Sequence, residues 1–100
     1  MEVKITQQDN VTTAAFIGRL DTPASLEIAP DIEKVAEAAG GTIVLDCSEM
    51  TYISSSGLRI FLTLRKAAIV KGGKVIVRDI NDDIRGVFMM TGFLNLFEIQ

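Results

Sequence analysis

Thr42-Ile43-Val44-Leu45 is a continuous β-branched and apolar run, the mark of a strand covered on both faces, as central strands of parallel or mixed α/β sheets are. Immediately before it, Gly40-Gly41 offers left-handed conformations that stop a helix. The preceding residues supply that helix: Ile32, Val35, Ala36 and Ala39 share one face, while Asp31, Glu33, Lys34 and Glu37 fall largely on another. Pro30 lacks an amide hydrogen and clashes one turn back, so the segment from Pro23 to Ala39 is either kinked or begins at Pro30. A main helix is expected over 30–39, preceded by a capped turn or helix at Thr22-Pro23.

Downstream of the central run, the stretch from Ser55 to Lys71 is too long and too rich in apolar helix formers for a strand, and Gly72-Gly73 closes it. Val75-Ile76-Val77 reads as the next buried strand, Asp82 to Met90 as a short helix, and Leu96 to Ile99 as a terminal edge strand. At the other end, Val3 and Ile5, then Val11, Ala15 and Ile17, recur near period two around Asp9-Asn10, which predicts an antiparallel hairpin. Gly18-Arg19-Leu20-Asp21 then leaves the second strand. The expected class is α/β: one domain over residues 1–100, with a mixed, mostly parallel sheet of four to five strands and three to four helices. Three strands are expected to run parallel, with the first paired antiparallel.

Composition narrows the function. The chain has 100 residues, no histidine and one cysteine, so the usual zinc ligand sets cannot be assembled and a Ser-His-Asp arrangement lacks its base. A net charge of -3, with scattered basic residues, offers no field for a phosphate backbone, so nucleic acid is not an expected direct partner. The opening segment has neither a basic start nor a continuous apolar run, and no stretch approaches membrane-spanning length. Together with the lone Cys47, this makes the cytoplasm the expected location, without membrane insertion. Cys47 itself is expected to pack as a small core residue, and Met89-Met90, with Val87, Phe88, Phe93 and Phe97, as core rather than as a pliable binding surface. Gly72-Gly73-Lys74 follows a helix rather than opening one and lacks P-loop spacing. No cofactor or metal is implied.

The loops leaving parallel strands emerge at one sheet edge, where open α/β sheets usually bind ligands. That edge should gather Arg19, Leu20, Asp21 and Thr22, then Asp46 to Ser56, then Asp79 to Asp82. Tyr52-Ile53-Ser54-Ser55-Ser56-Gly57-Leu58 places three hydroxyls at the start of the long helix. One serine there is a preferred N-cap, but one cap does not explain three. A phosphate at this turn meets a positive helix end and would place about -1.5 to -2 charges beside Asp21 and the Asp79–Asp82 group. Asp21 reads equally as a turn residue or as a functional carboxylate.

Gly18-Arg19-Leu20-Asp21, Ile43-Val44-Leu45-Asp46, Tyr52 to Arg59 and the closing Gly92-Phe93-Leu94-Asn95-Leu96-Phe97 resemble, in that order, the landmarks of the STAS family, anti-sigma factor antagonist type. The resemblance implies a binding switch rather than an enzyme. Its unphosphorylated form binds an anti-sigma factor that is a serine kinase and frees a sigma factor; phosphorylation turns it off, and a phosphatase restores it. By the same resemblance the acceptor is Ser56, directly before the glycine, with Ser55 second, and the partner surface comprises Arg19, Leu20, Asp21, Ser54, Ser55, Ser56, Gly57, Leu58 and Arg59. Many phosphorylated members carry Asp where this chain has Ser54. That departure, with an apolar face expected around Leu58, Phe61 and Leu62, leaves open a constitutive interaction subunit of a transporter or other assembly. A nucleotide bound in the crevice is a third reading.

Overall fold

The computed structural model describes residues 1–100. Strand β1 (Glu2–Gln8) turns at Asp9, whose φ of 56° is left-handed, into β2 (Val11–Leu20). Two short helices follow, α1 (Thr22–Glu27) and α2 (Ala29–Glu37), then β3 (Thr42–Ile53) and α3 (Ser55–Lys71). The chain closes with β4 (Lys74–Arg78), α4 (Asp82–Thr91), a 3₁₀ turn at Phe93–Asn95 and β5 (Glu98–Ile99).

The sheet order is β1-β2-β3-β4-β5, with β1 antiparallel to β2 and every later pair parallel. Four strands are therefore parallel, one more than expected, because β5 joins β4 in the same sense. It does so over Glu98–Ile99 only; Leu96 and Phe97 belong to the turn before it. Because the strand order follows the chain, crossovers of one hand place the helices on one face. The packing agrees: all four helices contribute to a single core of 24 residues together with Ala14 and Phe16, Ile43 and Leu45, and Val75 and Val77 from the sheet. Those strand residues alternate, as one face requires. Val44 and Ile76 point the other way and lie outside that core, yet they are buried too, at 7% and 8% exposure.

Pro30 does not start the main helix alone. It lies in the first turn of α2, where its missing amide costs nothing, and Ile28 ends α1 and begins α2 with φ -91° and ψ 1°. The 30–39 expectation is thus corrected to a bent pair hinged at buried Ile28, ending at Glu37; Ala39 lies past the helix yet is fully buried. Lys71 Nζ donates to the carbonyls of Ala36 and Glu37 at 3.1 and 3.4 Å, satisfying the end of α2 from the end of α3.

Asp46 to Ile53, read as loop, is strand, and Gly18 to Leu20 remain within β2. Twelve residues of β3 run beside ten of β2, the difference being absorbed at two irregularities, between Ala15 and Ile17 and between Gly18 and Arg19. Each inserts one extra β3 residue. At the first, Ser48 N–H donates to Asp46 Oδ1 at 3.0 Å. At the second, Gly18 takes φ 108°, a conformation other residues rarely adopt.

Phe88, Phe93 and Phe97 are core as expected, packed tilted or edge-to-face at centroid distances of 5.6 to 6.3 Å. Met89 and Met90 are not: they are 66% and 89% exposed, because α4 turns that side outward. Cys47 is buried, and burial first, then the Asp46 and Asp79 charges, push its thiol up to about 12. A thiol held that far from ionisation is a poor nucleophile.

Candidate functional site

The extended β2 and β3 end side by side, with Leu20 opposite Ile53 and Ser54 N–H bonded to the Leu20 carbonyl at 2.9 Å. Both chains then turn into helices at the same corner. Asp21 caps α1, its Oδ1 accepting from Ala24 N–H at 3.0 Å. Ser54 caps α3 in the same manner, its Oγ accepting from Gly57 N–H at 3.2 Å. Each cap satisfies one of the amides a helix start leaves free.

The three serines therefore differ. Ser54 is committed to the cap, Ser55 is exposed without a side-chain hydrogen bond, and half-buried Ser56 has its Oγ 3.4 Å from Thr22 Oγ1. Ser54 in place of a carboxylate keeps the capping oxygen but removes its charge. The first turn of α3 holds no acidic residue, so its positive end faces neutral hydroxyls.

Gly57 explains why a glycine must follow Ser56. A Cβ there would lie 2.7 Å from Leu20 Cγ and 2.9 Å from Ile53 Cγ1. Leu20, Gly57 and Leu58 are buried, so within the expected partner surface they set the backbone while Arg19, Asp21, Ser54, Ser55, Ser56 and Arg59 reach solvent to differing degrees. The apolar face expected around Leu58, Phe61 and Leu62 is not available to a partner: Leu58 and Phe61 belong to the core, and Leu62 packs against it.

The third loop makes no bond to the serines of this corner. Asn81 Nδ2 donates to the Met50 carbonyl at 3.2 Å, Asp79 pairs with Arg78 at 3.6 Å, and no hydrogen bond or ion pair joins Asp79–Asp82 to the serines. The expected flanking of the turn by this acidic group involves no direct bond: β3 carries Ser54 well beyond the end of β4, whose last residue, Arg78, is already opposite Asp46. Four surface hollows of about 200 to 320 Å³ exist, and none is lined by Asp21, Thr22 or Ser54–Ser56. At this corner the surface is open rather than enclosed.

Two residues that the sequence places at this edge, but outside the expected partner surface, contribute to it. Thr22 supplies the hydroxyl facing Ser56, and Tyr52 lies under Arg19, whose guanidinium carbon is 4.3 Å from the ring centroid. Arg19 and Tyr52 are register partners on β2 and β3; recognising Asp46–Ile53 as strand would have paired them. Exposed Arg–aromatic pairs of this kind are common anchors at interfaces.

Comparison with known proteins bears on the fold and the family. BtrV of Bordetella bronchiseptica, which carries the name of an anti-sigma factor antagonist, is 24% identical over 99 residues, covering 99% of this chain and 85% of its own. A Thermotoga maritima structure named in the same way superposes with a TM-score of 0.87 at 17% identity, over 97% of this chain and 84% of that one. The Bacillus cell fate determinant SpoIIAA in its phosphorylated form superposes at 0.75 with 18% identity, over 99% and 91%. At such identities the superpositions speak for the fold. Residues 2–100 match the STAS domain, and the chain belongs to that family.

Proposed function

We propose that the chain is an anti-sigma factor antagonist: unphosphorylated, it binds an anti-sigma factor of the serine kinase type and frees a sigma factor, and phosphorylation of Ser56 abolishes that binding. The observation that carries this reading is the corner where β2 and β3 end together, which presents Ser56 at the open start of α3 beside Asp21 and Thr22. The name of BtrV and the phosphorylated form of SpoIIAA support it. The switch is local charge. A phosphate adds about -1.5 to -2 charges to a neutral turn beside the Asp21 carboxylate, so a partner surface matched to the uncharged turn is repelled without refolding the domain. A separate phosphatase resets it.

The test is intact-mass and fragment analysis after incubation with ATP and a lysate of the source organism, beside a Ser56→Ala control. One phosphate on Ser56 is expected. Ser56→Asp then loses binding to the kinase and Ser56→Ala keeps it. No phosphate from an active lysate would transfer the assignment to a constitutive interaction subunit.

A further inference from the structure

We infer that Thr22 is the positioning residue that distinguishes Ser56 from its two neighbouring serines and holds the phosphate once it is attached. The inference rests on the phosphorylation switch proposed above. Among the three serines of the corner, only Ser56 has a side-chain hydroxyl from another element beside it. Ser54 Oγ is engaged by Gly57 N–H, and Asp21 Oδ1 by Ala24 N–H. Ser55 has no side-chain partner, and Ser56 Oγ has one, Thr22 Oγ1. The two hydroxyls are 34 residues apart in sequence and are brought together by the Leu20–Ile53 register and the Ser54 N–H to Leu20 carbonyl bond.

Their 3.4 Å separation is longer than the roughly 2.7–2.8 Å of a good O–H···O bond. The contact is therefore weak, and the free hydroxyl of Ser56 lies beside Thr22 without being sequestered. In the transfer, Ser56 Oγ bonds to the γ-phosphorus of ATP as the bond from that phosphorus to the ADP oxygen breaks. The hydroxyl proton leaves to a base on the kinase, and Thr22 is unchanged. The new phosphate extends acceptor oxygens from Ser56, and the Thr22 O–H, which has no competing partner, donates to one of them. A donor to the dianion favours it over the monoanion and so lowers the second ionisation of the phosphoserine.

Thr22→Val keeps the shape and removes the hydroxyl, whereas Thr22→Ser keeps the hydroxyl; Thr22 is exposed, so both should fold. Asp21, Arg19 and Arg59, the charged side chains of the corner, are intact in both. Wild type and variants are phosphorylated by the source lysate with ATP, the phosphate is located by fragment mass, and the phosphoserine is titrated by ³¹P NMR. Thr22→Val should show a second ionisation raised by a few tenths of a pH unit and some phosphate diverted to Ser55, while Thr22→Ser matches wild type. Phosphate on Ser56 with the same titration and site distribution in all three proteins overturns the role of Thr22 and leaves the switch standing. No phosphate on Ser56 of the wild type overturns both.

Discussion

Gly57 ties the chemistry of the corner to its packing. With Leu20 fully buried and Ile53 nearly so, neither can move aside for a Cβ at 2.7 to 2.9 Å. Gly57→Ala should therefore lift the first turn of α3, costing about 1–3 kcal/mol in chemical denaturation and displacing Ser56 from Thr22. A second residue-scale test concerns Asp46. Burial raises its carboxyl, but the hydrogen bonds from Ser48 and the 3.3 Å pair with Arg78 outweigh it and leave the group below its ordinary 3.8. The stabilisation is thus complete above that value and is lost as pH falls through the lower, folded one. Asp46→Asn should cost about 0.5–1 kcal/mol at neutral pH, and its disadvantage should shrink below pH 3.8, as melts across that range would show.

At the scale of elements, α3 is limited at both ends by identifiable residues: the Ser54 cap and Gly72, which takes φ 81°. Ser54→Ala should lower stability by about 1 kcal/mol, while Ser54→Asp, keeping a capping oxygen and adding negative charge at the helix start, should match or exceed wild type in the same denaturation curves. Were Ser54→Asp as damaging as alanine, the cap would not be what Ser54 contributes. α4 carries the opposite case. Gly86 is inside the helix, and a Cβ there would meet nothing within 4 Å, so Gly86→Ala should add about 0.5–1 kcal/mol. Element by element, long unbroken patterns were readable: α3 matched its 55–71 prediction, and the buried run at Thr42–Leu45 lies in the central strand. The rest of β3 was not, because two extra residues break its period of two and its exposed Ser48, Glu49 and Thr51 resemble a loop. Likewise, proline in a first turn and proline in mid-helix look the same until the bend at Ile28 is seen.

Over the whole molecule, the same misreading of β3 explains what of the site was hidden. The Ser54–Gly57 turn and Asp21 were visible as local signals, but their distance from Asp79–Asp82 depended on how far β3 outruns β4, which no local pattern states. Gly73 shows the converse: its Cβ would fall 2.0 Å from the Ala39 carbonyl oxygen and 2.2 Å from that of Gly41, so this glycine serves backbone packing at the end of the sheet remote from the serines. The aromatic centre differs from the corner in burial: Phe61, fully buried, contacts Phe16, Phe88 and Phe97 at centroid distances of 5.5, 6.1 and 6.3 Å and joins sheet to helices, whereas Ser56 reaches solvent. That difference yields a contrast measurable by calorimetry. Phe61→Ala removes the side chain shared by these layers and should cost about 3–5 kcal/mol, a large part of the 5–15 kcal/mol typical of a domain. Ser56→Asp places its charge at a helix end that has no acidic residue but beside Asp21, opposing effects that should leave stability within about 0.5 kcal/mol of wild type. If Ser56→Asp instead melted as early as Phe61→Ala, the switch would act by unfolding the domain, and charge at the surface would no longer account for it.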